Sequence, residues 1–140
     1  MKFKYLKFPL DKHSSFFGSS ILKPIIPIEL SVGKISIRYA ALIDSGADFC
    51  IFDAEIGENL GLNIESGIQV DFGGIQEKGG AKAFLHKVNL TFGVHNIEIL
   101  TGFSYEVAKH GFGILGQKGF FDIFSVKFDF DKEEIELKPH

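Results

Sequence analysis

Short apolar runs and alternating stretches, punctuated by glycine, recur along the chain with the period of two that marks strands. Residues 2–8 alternate like an edge strand, whereas 11–20, with His13-Ser14-Ser15 and Gly18-Ser19-Ser20, read as loop. Pro24-Ile25-Ile26-Pro27-Ile28-Glu29-Leu30 is apolar and β-branched, and its two prolines demote part of it to an edge or a pre-strand segment. Ser31-Val32-Gly33-Lys34 turns the chain into a second arm, Ile35 to Ile43. Strands are predicted at 68–72, 83–92 and 97–100, with a glycine-rich hairpin at 73–80 and a less regular stretch at 102–112. A last hairpin joins 126–130 to 135–137 around Asp131-Lys132-Glu133. Two segments break this rhythm. Asp53 can cap a helix of about two turns that Gly61 stops, with Ile56 and Leu60 on one face. Phe120, Phe121 and Phe124 give 117–124 near-helical spacing. The pattern predicts an all-β fold, a closed barrel or sandwich with one or two short helices.

Composition narrows the class. At 140 residues the chain is expected to be one domain with a proper core, 24–140, preceded by a strand and loop extension, 1–23. Sixteen Phe with no Trp and one Met make that core phenylalanine-based. A formal net charge of −3 and the lack of a Lys/Arg-rich run give no reason to expect nucleic acid. The one cysteine, Cys50, excludes an internal disulfide framework and suits a reducing compartment. No stretch approaches a transmembrane span, and the N-terminus lacks the apolar core of a signal peptide. The expectation is a soluble cytoplasmic protein without membrane contact.

Several motifs are decoys. Gly111-Phe112-Gly113-Ile114-Leu115-Gly116 matches a dinucleotide fingerprint letter for letter, but too little chain follows to complete a nucleotide-binding unit. Asp71-Phe72-Gly73 spells a kinase triplet without its companion motifs. The five histidines are scattered singly, so no metal or other cofactor is expected. Cys50 has no flanking cation and reads as a small buried hydrophobe. The acids at 129, 131, 133, 134 and 136 read as a solvated hairpin.

Ala41-Leu42-Ile43-Asp44-Ser45-Gly46-Ala47-Asp48 is different. An apolar strand here delivers a carboxylate where a core side chain is due, and burying it unpaired costs several kcal/mol, of the order of ~2–7. The Ser45 hydroxyl and a backbone N–H brought inward at Gly46 are the groups that can satisfy it. Asp-Ser-Gly alone arises by chance in roughly one chain in twenty of this size. Its company, the glycine-rich 73–80 and then Ile114-Leu115-Gly116, makes it specific.

In that order and spacing the chain resembles the retropepsin-like aspartic proteases, single-lobe relatives of pepsin, over roughly residues 24–138. The resemblance implies an acid-protease-like β-barrel and makes Asp44 the catalytic carboxylate. It implies that Ser45 and Gly46 support the catalytic turn, with Ile114, Leu115 and Gly116 packed behind it. Ala47 and Asp48 would line the cleft and bond peptide backbone, and Gly73, Gly74 and Ile75 fall where the family's flap closes over substrate. Two positions depart from the retroviral pattern. Gln117 stands where an arginine usually pairs with the equivalent of Asp48, so a neutral hydrogen bond would replace an ion pair. Cys50 stands in place of a threonine.

Peptide hydrolysis of this type takes two carboxylates sharing one proton, one activating water and the other donating to the carbonyl oxygen. The chain has one Asp-Ser-Gly, so the second must come from another copy related by a two-fold axis. The expectation is a homodimeric aspartic endopeptidase acting on a peptide or protein substrate, favoured at acidic to mildly acidic pH. The alternatives are a catalytically weak or inactive barrel serving as a dimerisation or peptide-binding module, and a barrel binding a small apolar ligand.

Overall fold

The computed structural model describes residues 1–72, 80–107 and 111–140. In chain order its elements are β1 (Lys2–Lys4), β2 (Leu6–Ser14), β3 (Gly18–Lys23), β4 (Ile25–Val32), β5 (Ile35–Ile43), β6 (Ile51–Asp53) and α1 (Ala54–Asn59). A 3₁₀ turn (Ile64–Ser66) leads to β7 (Ile68–Phe72), β8 (Ala81–Phe92), β9 (His95–Ser104), β10 (Gly113–Leu115), β11 (Phe124–Asp129) and β12 (Glu134–Pro139). Strands β4-β5-β10-β6-β9-β8 lie side by side, and β8 pairs back onto β4, closing a six-stranded barrel with β7 alongside β8. The fold is therefore the all-β closed barrel that the pattern predicts. A second sheet, β1-β12-β11, joins the two ends of the chain, and β2–β3 form a ribbon of their own.

Closure follows from local rules. Pro27 sits in the half of β4 that pairs with β5 alone, because β8 joins β4 only at Glu29, Leu30 and Ser31, so its missing N–H breaks no ladder. The Asp53 carboxylate accepts the Glu55 N–H at 3.0 Å and caps α1. Gly61 ends the helix in the left-handed region, at φ +89°.

Three expectations are corrected. Residues 11–20 are not loop. β2 and β3 run through them, and only 15–17 turn, held by the Ser14 hydroxyl oxygen accepting the N–H groups of Phe16 and Phe17. Of the serines that suggested a loop, Ser14 and Ser15 make the tip, whereas Ser19 and Ser20 are strand residues of β3. Residues 102–104 are regular, because Gly102, Phe103 and Ser104 extend β9 beside β6. The segment 117–123 is a series of turns and not a second helix. Phe121 and Asp122 donate to carbonyls five residues back, and the left-handed Gly119 interrupts any helical run. Among the described residues the one α-helix is α1, accompanied by the 3₁₀ turn.

Phenylalanine fills the barrel as composition requires. Phe52, Phe92, Phe103, Phe120 and Phe124 are fully buried, with Phe92 and Phe124 edge to face at 5.1 Å. Each such ring contributes about 1.5–3 kcal/mol by burial. The terminal acids are more engaged than solvated residues would be. Glu134 lies 3.8 Å from both Lys2 and Lys4, and Glu133 lies 3.8 Å from Lys7. These exposed pairs contribute little individually, about 0–1 kcal/mol. His86 is structural, its Nε2 lying 2.8 Å from the Ile64 carbonyl oxygen.

Candidate active site

Parallel pairing of β5 and β10 brings the two halves of the sequence constellation together. Ile114 and Leu115 lie beside Leu42 and Ile43, and the Leu115 carbonyl accepts the Asp44 N–H at 3.0 Å. On the other side the Pro24 carbonyl accepts the Ile43 N–H at 2.9 Å. The backbone that carries Asp44 is thus fixed by neighbours on both flanks.

The turn beyond closes on itself. Ala47 donates its N–H to the Asp44 carbonyl at 3.1 Å, and the Gly46 N–H donates to the Asp44 Oδ1 at 2.9 Å. The expected backbone donor is present. Ser45 is exposed, and among the described residues its hydroxyl has no partner, so the predicted hydroxyl–carboxylate bond is replaced by the amide alone. The carboxylate itself is half-buried, not in the core as the apolar run suggested. Ile43, 4% exposed, is the last side chain of β5 to reach the interior, and Asp44 stands at the rim one residue beyond.

Residues 45–48 are clamped from the C-terminal side. The Gln117 Nε2 donates to the Ser45 carbonyl at 2.7 Å, its N–H donates to the Ala47 carbonyl at 2.8 Å, and the Lys118 N–H donates to the Asp48 carbonyl at 2.9 Å. The expected side-chain pairing of Gln117 with Asp48 is therefore corrected: the amide is spent on the turn of its own chain. Gly116 makes this approach possible. A Cβ there would stand 2.4 Å from the Phe49 carbonyl oxygen and 2.7 Å from that of Ala47. Both are backbone atoms that cannot move aside.

Beside the turn lies a cavity of about 230 Å³, walled by Phe49, Val70, Leu85 and Leu100 and rimmed by Asp48 and Lys118. Apolar walls with charged groups at the mouth suit an apolar side chain on a polar backbone. Ala47 is half-buried within the turn and Asp48 is exposed at the cavity edge. Gly73, Gly74 and Ile75 lie outside the described residues, between β7 and β8. Cys50, fully buried, has its thiol pushed up to about 12 by burial, which leaves it the inert hydrophobe expected of it. Among the described residues no three His, Cys, Asp or Glu side chains converge as metal ligands.

Phe49 and Gln117 are the residues that sequence reasoning underused. Phe49 carries no chemistry-bearing group, and its signal is its place directly after Asp48. Gln117 showed a departure from a pattern, but its partner depends on a contact 72 residues away in sequence.

No protein-family model matches the chain, and no curated protein matches it by sequence. By structure it is similar to a crystal structure of a retropepsin-like aspartic protease from Rickettsia conorii, with a TM-score of 0.52 and 15% identity. The match covers 98% of this chain and 92% of that chain. The shared property is the retropepsin-like fold. No helix among the described residues is long and apolar enough to cross a membrane.

Proposed function

We propose that the chain is an aspartic endopeptidase that works as a homodimer, each copy supplying one Asp44. The observation that carries this reading is the Asp44 turn. One carboxylate oxygen is held by the Gly46 amide, the backbone is locked onto β10, and the group stands half-exposed at the barrel rim. A carboxylate fixed in this way is positioned to take a proton from water, and a second one facing it supplies the proton for the carbonyl oxygen. The fold shared with an aspartic protease supports the assignment. The cavity beside Asp48 and Phe49 is the place for an apolar side chain of the peptide substrate.

The reading is tested by cleavage of a peptide library at acidic to neutral pH. Asp44→Asn should abolish cleavage while leaving the fold unchanged, and a pepstatin-type inhibitor should block the wild-type protein. Full activity in Asp44→Asn rejects the assignment. A second reading, a non-catalytic module that dimerises or binds peptide, draws on Gln117, whose amide is engaged within its own chain. It predicts specific peptide binding with no turnover in wild type and Asp44→Asn alike.

A further inference from the structure

The β2–β3 ribbon is the part of the molecule whose stability the fold leaves unexplained. It forms a sheet separate from the barrel, and none of residues 6–23 is fully buried. A two-stranded ribbon is at best marginally stable in water by itself. Its tip is nonetheless well built, with Phe16 and Phe17 stacked edge to face at 4.8 Å above the Ser14 turn. These rings are 86% and 55% exposed, whereas Phe52, Phe92, Phe103, Phe120 and Phe124 fill the core. The register slips between Pro9 and Ser14. Phe16, Phe17, Ile21 and Leu22 then form, with Phe130 of the β11–β12 turn, the apolar part of a groove of about 520 Å³ that Lys7, Ser20 and Glu133 complete.

We propose that this ribbon is a dimerisation arm, and that its aromatic tip and groove are covered by a second copy of the chain. The inference rests on the two-copy reading of the Asp44 site and says where most of the interface comes from. Two Asp44 turns that share a proton must meet, so the second copy lies against the barrel rim at 44–48. The exposed residues there are few: Ser45, Gly46 and Asp48, with Gln117 and Lys118 behind them. A stable interface takes roughly 20–30 residues a side. The ribbon is rooted at the same rim, since Pro24, the residue after β3, bonds to Ile43, the residue before Asp44. It therefore continues the surface that the site needs.

Charge favours the same occupant. The ribbon, residues 6–23, carries three lysines and one carboxylate, Asp11, with Lys7 3.8 Å from Glu133 of its own chain, whereas 24–140 carry ten cationic side chains against seventeen carboxylates. An arm of net positive charge meets a body of net negative charge in another copy, which speeds encounter and penalises other cationic partners.

The test is sedimentation of the full chain over a range of concentrations, with cleavage measured on the same samples. The double variant Phe16→Ser/Phe17→Ser should raise the dimer dissociation constant about tenfold or more, as removal of central aromatic anchors does. Its activity per dimer should recover at high concentration. Lys12→Glu should weaken the dimer in low salt and leave it unchanged in high salt. An unchanged dissociation constant in the double variant overturns the arm. So does binding of the wild type to vesicles of equal parts phosphatidylcholine and phosphatidylserine that the double variant loses without a change in dimerisation. A wild type that stays monomeric at every concentration overturns both the arm and the two-copy reading. A wild type that dimerises through the ribbon yet cleaves nothing overturns the proposed catalysis alone.

Discussion

The barrel and the β2–β3 ribbon are both built from strands that carry phenylalanine, and they are stabilised by opposite means. Strands of the barrel turn Phe52, Phe92 and Phe103 inward and close their ladder through β4–β8, leaving each ring fully buried. The ribbon meets the β11–β12 turn through the Lys7–Glu133 pair, none of its residues is fully buried, and its Phe16–Phe17 pair faces water. Closure is what separates them. A closed sheet has an inside, which converts every second side chain into core, whereas a two-stranded ribbon has two outer faces. The barrel closes within one chain, and the ribbon and the Asp44 rim are the parts for which a second copy is proposed.

The sharpest way to separate scaffold from site is Asp44→Asn. Its carboxylate is half-buried at the rim and bonded by one amide, so the barrel should melt where the wild type does. Cleavage should fall by at least about 10²–10⁴-fold, the range for removing a general base, measured as kcat/KM on the best library peptide. The contrast between barrel and ribbon is read directly by one substitution made in both. Phe103→Ala should cost about 3–5 kcal/mol in urea unfolding, for the lost ring and the cavity it leaves. Phe16→Ala should cost less than about 0.5 kcal/mol in dilute protein. Equal losses would mean that the ribbon packs in a single chain after all.

Gly116→Ala probes the seam between β10 and the turn. Its methyl would press on the carbonyls of Phe49 and Ala47, so about 1–3 kcal/mol of stability should go, with a loss of activity larger than the stability change explains. Gln117→Ala should cost about 0.5–1.5 kcal/mol through the Ser45 carbonyl bond, and Gln117→Asn, one methylene short of that carbonyl, should not restore it. The smallest effect concerns pH. The Cys50 thiol is raised to about 12 in the fold, whereas it ionises near ~8.5 in the unfolded chain. Below the unfolded value both states hold the proton and nothing changes. Above it the unfolded chain alone loses the proton, so stability should decline as pH rises from ~8.5 towards 12, and Cys50→Ala should lack that component of the slope. The same burial predicts negligible labelling by iodoacetamide at neutral pH until the barrel is unfolded.

Much of this was legible along the chain. The hairpin ending at Ile43, the Asp53-capped helix stopped by Gly61, and the terminal hairpin each rest on side chains within a few residues of one another, where turn chemistry and periodicity act. The Asp44 turn stood out for a related reason: Asp44, Ser45 and Gly46 are polar or glycine residues at the end of an apolar run. The misread segments have a different cause. Serines at 14–20 and phenylalanines at 120–124 carry local preferences that the fold overrides, through pairing of β2 with β3 and through Gly119.

The sequence by itself determined that this chain would be a phenylalanine-cored β-structure carrying one carboxylate turn, because alternation, capping and composition are properties of neighbouring residues. Tertiary structure alone decided that β8 returns to β4, that Asp44 stops at the rim and not in the core, that Gln117 bonds the Ser45 carbonyl, and that Phe16 and Phe17 face water. Each of these depends on which distant strand comes to lie alongside, and that choice is made by closure of the sheet as a whole.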